Sequence, residues 1–175
     1  MKKIFTLSRF KKILSLRENK KIVFFSGAFD LFHYGHFRAL LSATTLGDLL
    51  VVQVDGDRLV RKRKGLDRPH ISEIERVKII SSFEFVDYVI ISNIPSESKQ
   101  TLNSIKPDVF VRAILSNENG YDRVLREKKI VKRLPFIKVV WLKQTPEIST
   151  SKIIKMMKTS TSRDQKIQYE QLIHN

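Results

Sequence analysis

The sequence has no cysteine, which excludes disulfides and thiolate metal sites. It has no long apolar run. Leu49 to Val52 and Tyr88 to Ile91 fall far short of the roughly 20 residues that cross a bilayer as a helix, so no membrane partner is expected. The opening Met1-Lys2-Lys3-Ile4-Phe5 lacks the extended apolar core of a signal peptide, and a cytoplasmic protein is the expectation. Acidic side chains are scarce. Only 18 Asp and Glu stand against 33 Lys and Arg, a formal charge of +15. That balance suits a polyanionic partner, either nucleic acid or phosphorylated small molecules, and it equally fits a lysine-rich solvated surface. Repeats, low-complexity tracts and any linker long enough to divide 175 residues are missing too, which leaves one domain with one core.

What is present is alternation of short strands and helices. Leu7, Phe10, Ile13 and Leu14 recur at helical spacing behind Ser8, so an amphipathic entry helix is predicted over about 8–18. Lys21 to Ser26 reads as a buried strand ending at Gly27, and about Gly35 to Leu46 as a helix closed by Gly47-Asp48. Leu49 to Val54 is a second strand. Ser72 and Glu75 form a capping box opening a helix to about Ser82. Strands at Tyr88–Ile91, Val109–Val111 and Phe136–Leu142 follow. Helices are predicted over Ser96–Ile105, somewhere within 118–134, and from Ser149 or Thr150 to about Met157. Residues 159–175 read as a polar tail. Strands apolar on both faces, alternating with helices, predict a Rossmann-like doubly wound parallel sheet with helices on both faces, a single α/β domain over 1–158. Ligands of such sheets sit beyond the carboxyl ends of the strands.

The chemistry-bearing residues follow strand ends. The first strand runs into Ser26-Gly27-Ala28-Phe29-Asp30-Leu31-Phe32-His33-Tyr34-Gly35-His36. Gly27 permits a sharp turn, and Gly35 lets a phosphate approach the backbone at a helix N-terminus, where free N–H groups and the helix dipole favour anions. His33 and His36 stand three apart and can face one phosphate, an arrangement that stabilises charge on phosphoryl oxygens. Two core histidines satisfied by backbone are the alternative. Metal ligation lacks a cysteine or a nearby third ligand, so no metal site is assigned to protein side chains.

Gly27-Ala28-Phe29-Asp30 followed by His33-Tyr34-Gly35-His36 resembles the GxFD…HxGH signature of the cytidylyltransferase-like nucleotidyltransferase superfamily. Ile148-Ser149-Thr150-Ser151-Lys152-Ile153-Ile154 resembles its second signature, the serine–threonine motif that opens the last helix. Within that superfamily the entry helix, Lys64-Gly65, Arg68-Pro69, Glu75-Arg76 and Val86-Asp87-Tyr88-Val89 are most similar to the adenylyltransferase domain of ADP-heptose synthases. Glycerol-3-phosphate cytidylyltransferases are a more distant likeness. Their arginine before the serine–threonine motif is here Gln144, which favours the heptose-type pattern. A second departure is Val111-Arg112-Ala113-Ile114-Leu115-Ser116, where the heptose enzymes carry a VKGGDY-like segment.

The resemblance implies a transferase that moves a nucleoside monophosphate, AMP by preference, from an NTP to a small phosphorylated acceptor such as a heptose 1-phosphate. It requires Mg²⁺ and implies a homodimer. It assigns His33, His36 and Lys64 to catalysis. Nucleotide binding falls to Gly27, Ala28, Phe29, Gly35, Ser149, Thr150 and Ser151 with those same three. The acceptor falls to Asp30, Lys62 and Arg112. Each assignment has a plainer alternative: hydroxyl residues before a helix are ordinarily caps, the run Arg61-Lys62-Arg63-Lys64 is ordinarily a solvated face or a nucleic-acid patch, and Arg76 fits a surface ion pair beside Glu73 or Glu75. The acceptor is already an anion and needs no general base. A non-catalytic RNA-binding protein on the same fold and an inactive paralogue are the competing readings, though no RNA-recognition motif supports the former.

Overall fold

The computed structural model describes residues 3–14, 19–114, 136–143 and 149–159, together with Leu125 and Lys128. The element order is β1 (Ile4–Thr6), α1 (Leu7–Ile13), β2 (Ile22–Gly27), α2 (Tyr34–Thr44), β3 (Leu49–Asp55), α3 (Asp57–Lys64) and α4 (Glu73–Ser81). Then come β4 (Tyr88–Ser92), α5 (Lys99–Ile105), β5 (Val109–Ile114), β6 (Lys138–Lys143) and α6 (Thr150–Thr159). Among the described residues the strands form one parallel sheet in the order β1-β4-β3-β2-β5-β6. The order reverses between β2 and β5, and this switch point is where an open α/β sheet leaves a crevice for a ligand.

Alternating strand side chains feed two separate cores. Val23, Phe25, Val52, Val54, Val89 and Val111 pack with Leu40 and Ala43 of α2 and Val77 and Ile80 of α4. Ile22, Phe24, Val51, Ile90 and Phe110 pack with Leu7 and Phe10 of α1 and Leu102 and Ile105 of α5. Side chains one residue apart thus enter opposite layers, which explains why the strands read as continuous apolar runs. The doubly wound α/β architecture expected from the sequence is the one observed.

Several local expectations need correction. The entry segment begins with a short edge strand, β1, and its helix is capped by Thr6, whose Oγ1 accepts from Arg9 N at 3.4 Å, rather than by Ser8. Residues 15–18 of the expected entry helix lie outside the described residues. So do most of 118–134, Gln144 and the tail from 160. The helix expected from Ser96 starts at Lys99, because Ser98 caps it by accepting from Thr101 N at 3.1 Å. The basic run Arg61-Lys62-Arg63-Lys64 forms the last turn of α3, where cations favour the negative end of the helix dipole. The Ser72–Glu75 capping box is present as read.

Candidate active site

A cleft of about 270 Å³ opens above the carboxyl ends of β2, β3 and β5, at the switch point. Its lining includes Gly27, Ala28, Phe29 and Asp30 from the loop after β2, and His33, Gly35, His36 and Arg38 around the start of α2. Asp55, Arg63, Lys64, Arg112 and Thr150 complete its polar wall. The two sequence signatures, over a hundred residues apart in the chain, therefore meet at one place.

The histidines are the N-terminal cap of α2. His33 is the N-cap residue, and its Nδ1 accepts from Gly35 N at 3.1 Å. His36 returns the contact: its Nδ1 accepts from His33 N at 3.4 Å. The two rings stack with centroids 3.9 Å apart. An Nδ1 that accepts a hydrogen bond carries no proton, so each neutral ring holds its proton on Nε2. Burial pushes the His33 pKa below its ordinary value. Burial, then the charges of His33 and Lys64, push His36 down to about 3, against a smaller opposing pull from Asp30. Both imidazoles are neutral donors at neutral pH.

The loop between β2 and α2 is strained and clamped. Phe29 and Leu31 adopt left-handed backbone, φ 51° and 49°, costly for bulky side chains. Gly27, of which a sharp turn was expected, is not itself left-handed. A side chain at Gly27 would meet the Phe29 ring at 3.2 Å, so the glycine makes room for packing. Three contacts hold the loop. Arg76 Nη1 donates to Ala28 O, Thr150 Oγ1 donates to Asp30 O at 3.0 Å, and the Asp30 carboxylate is gripped from outside the loop.

That carboxylate corrects one expectation. Asp30 is 1% exposed, and its oxygens accept from the backbone N–H groups of His70 and Ile71 at 3.0 Å and from Arg68 Nε at 2.7 Å. Burial alone raises its pKa, but those amides and the Arg68 guanidinium outweigh it and hold the carboxyl below its usual range. Asp30 is thus a latch between the histidine loop and the segment before α4, and its carboxylate has little capacity left for an acceptor.

Arg76 is corrected more sharply. It lies on no surface and lines no cleft: it is 0% exposed. Nε donates to Ile71 O at 2.9 Å, Nη1 to Asp55 O at 2.8 Å and Nη2 to Asp57 Oδ1 at 2.7 Å, in addition to Ala28 O. One guanidinium ties together the ends of β2 and β3 and the starts of α3 and α4.

The remaining expectations divide. Lys64 lies in the cleft wall, whereas Lys62 is an exposed residue of α3 that does not line it. Thr150 lines the cleft. Ser149 caps α6, accepting from Lys152 N at 3.3 Å, and Ser151 is exposed. Arg112 is buried at the cleft floor, donating to Ser26 Oγ at 2.7 Å and Ser96 Oγ at 3.0 Å. Sequence reasoning missed Ser26, Asp55, Arg63, Ser96 and Glu97. The sole available signal was position, since Asp55 ends a strand and Arg63 lies one residue before Lys64.

A model of the family described as cytidylyltransferase-like matches residues 24–156, nearly the whole sheet and both signatures. The chain belongs to this family. Among curated relatives, the bifunctional protein HldE of Campylobacter concisus is 37% identical over 94% of the chain and 33% of its own length. The ethanolamine-phosphate cytidylyltransferase of Dictyostelium discoideum is 34% identical over 93% of the chain and 43% of its own length. The chain therefore spans a third to under half of these relatives. Among solved structures, the lipopolysaccharide core biosynthesis protein of Thermoplasma volcanium GSS1 superposes with a TM-score of 0.59 at 28% identity, over 73% of this chain and 99% of that one. The pantoate-beta-alanine ligase of Francisella tularensis, at 15% identity and a TM-score of 0.58 over 82% of this chain and 67% of that one, shares the fold. The nucleotidyltransferase superfamily read from the two signatures is thus the right one.

Proposed function

We propose that the chain transfers an adenylyl group from ATP to the phosphate of a sugar 1-phosphate, a heptose 1-phosphate or close analogue, and releases pyrophosphate. The observation that carries this reading is the stacked pair of neutral, Nε2-protonated imidazoles at the N-terminus of α2, in one cleft with Lys64 and Thr150. Neutral N–H donors and a helix N-terminus hold phosphoryl oxygens without the reorganisation that water would need. The choice of ATP and of a heptose acceptor rests on the likeness to the HldE proteins.

The step requires little covalent help. An oxygen of the acceptor phosphate attacks the α-phosphorus of the nucleotide, the bond from that phosphorus to the bridging oxygen breaks, and pyrophosphate leaves with the electron pair. No proton has to be removed, because the attacking oxygen is already anionic. His33 and His36 donate to the α-phosphoryl oxygens as charge develops, and Lys64 neutralises the neighbouring phosphates. The N-terminus of α6, which Thr150 opens at the cleft wall, receives the outer phosphates. Mg²⁺ supplies further charge neutralisation when it arrives with the nucleotide. Among the described residues no three His, Asp or Glu side chains converge on one point, and the cleft carboxylates Asp30 and Asp55 are already paired with Arg68 and Arg63. An ion carried mainly on substrate phosphates suits that arrangement. The proposal includes a homodimer acting in the cytoplasm; no helix among the described residues is long and apolar enough to cross a membrane.

Similarity to the ethanolamine-phosphate cytidylyltransferase supports a second reading, cytidylyl transfer to a small polyol or amino-alcohol phosphate, which includes glycerol 3-phosphate. Calorimetry with ATP and CTP, paired with pyrophosphate release on a panel of acceptor phosphates, separates the two. ATP should bind at least tenfold tighter, a difference of about 1.4 kcal/mol. Tighter CTP binding would exchange the readings, and tight tRNA binding without turnover of any NTP would remove both.

A further inference from the structure

The two ends of the cleft differ in charge. Around α2, His33, His36, Arg38 and Lys64 face a single carboxylate, Asp30, already paired with Arg68 at 2.6 Å. Over the ends of β3 and β5 the wall is instead Ser26, Asp55, Arg63 and Arg112, joined through Gln53, Ser96 and Glu97 behind them into a continuous hydrogen-bonded chain. Arg112 donates to Ser26 and Ser96, and Ser26 Oγ donates to Ser96 Oγ at 2.7 Å. Ser96 Oγ donates to Glu97 Oε2 at 3.1 Å. Glu97 Oε1 accepts from Arg63 Nη2 at 2.6 Å, and Arg63 Nη1 donates to Asp55 Oδ2 at 3.1 Å. Gln53 Nε2 closes the chain on Asp55 Oδ1 at 3.3 Å.

Among the described residues two guanidiniums here meet two carboxylates, so this end is balanced in charge while remaining dense in donors and acceptors. Burial alone raises the pKa of Glu97, but the charge of Arg63, and behind it that of Arg112, hold it below its usual range, so Glu97 stays ionised and committed. Arg63 and Lys64 both line this cleft, so a group beside Arg63 shares the cleft with a phosphate held at Lys64. A neutral hydroxylated moiety fits such a wall, since each hydroxyl both donates and accepts. An ammonium group does not. It would meet two arginines whose carboxylate partners are already engaged.

We propose that the Arg63–Glu97–Ser96–Arg112 network selects the acceptor, taking the hydroxylated body of a sugar phosphate and rejecting a phosphate ester that carries an ammonium group. This inference rests on the sugar 1-phosphate acceptor proposed above, whose phosphate must reach the α-phosphorus within the cleft that Lys64 lines. Calorimetry of the intact chain with mannose 1-phosphate and with ethanolamine phosphate reads the preference directly. The wild type should bind the sugar phosphate roughly tenfold or more tightly, the scale of an unfavourable like-charge contact. Arg63→Gln removes the guanidinium bonded to both Asp55 and Glu97, leaves the carboxylates in excess over Arg112 and should shift the ratio of the two dissociation constants about tenfold towards ethanolamine phosphate. Glu97→Gln, nearly isosteric, leaves the arginines in excess and should shift the ratio the opposite way; it carries the test alone if Arg63→Gln does not fold. A wild-type ratio within twofold, a shift of the same sign in both variants, no shift in Glu97→Gln, or no binding of either phosphate by the wild type would each overturn the inference. Pyrophosphate release measured in parallel keeps the two readings apart: its absence with every NTP removes nucleotidyl transfer and leaves the binding ratios legible.

Discussion

Consider replacement of Arg76 by methionine, which keeps the length of the side chain and removes its donors. The guanidinium is fully buried and donates to Ile71 O, Ala28 O, Asp55 O and Asp57 Oδ1. Its loss takes a donor from three carbonyls and leaves the largely buried Asp57 carboxylate with only the longer Arg61 contact at 3.9 Å among the described residues. Each orphaned buried acceptor costs about 1–3 kcal/mol, though such losses do not add in full within one network. Breaking a buried ion pair by removing one partner costs about 3–5 kcal/mol. Asp57 keeps some solvent, so the lower part of that range applies, and a loss of about 3–4 kcal/mol is expected. For a domain of this size that lowers Tm by about 6–16 °C.

Urea unfolding followed by circular dichroism measures the loss, and an unchanged m-value shows that stability, not compactness, has moved. The same variant separates a structural from a ligand-contacting role. If Arg76 held a phosphate in solution, Arg76→Met would keep its stability and lose nucleotide affinity. A loss below about 1 kcal/mol with weakened nucleotide binding would therefore refute the reasoning.

Three further outcomes are expected. His36→Ala should lower kcat by roughly 10²–10³ with folding intact, the scale of removing one preorganised donor; wild-type turnover would sink the assignment, and a variant that only unfolds would make His36 a core residue. Lys64→Ala should raise the KM for NTP or lower kcat even at high salt, whereas a nucleic-acid patch would show binding that falls steeply with salt. His36 is neutral down to about 3 in the fold but titrates near 6.5 in the unfolded chain, so the unfolded state takes up more protons between those values. Its contribution to stability should be complete above about 6.5 and fade as the pH drops towards 3; His36→Asn should flatten that part of the urea stability profile, and an unaltered profile would refute the burial argument.

The architecture was legible because its signal is periodic. Val23, Phe24 and Phe25 are all buried, which alternation between two covered faces requires, and the Ser72–Glu75 box announced α4 by spacing alone. The edge strand β1 was not legible: three residues running straight into a helix carry too little period, and its pairing with Val89, Ile90 and Ile91 is a contact across more than eighty residues. Arg68-Pro69 was noticed only as part of a likeness. Its role appears once Arg68 is seen against Asp30, since nothing in the spacing of residues 30 and 68 says that they meet.

The same distinction explains which site residues could be read. His33, Gly35 and His36 form a local motif whose chemistry follows from three positions on one helix turn, and the structure keeps them together. Asp30, Arg63 and Arg76 are charged residues whose roles are decided by what the fold brings to them. Asp30, expected to meet a substrate, spends its carboxylate on Arg68 and two amides, while Arg63, passed over within a basic run, is drawn into the cleft wall by Asp55 and Glu97. A basic run on a helix is a solvated face by default. Here α3 turns its four consecutive basic residues to different surroundings: Arg63 and the exposed Lys64 line the cleft, while Arg61 and Lys62 are exposed away from it. The face each residue occupies, which the charges alone do not disclose, is what separates a phosphate contact from a solubilising one.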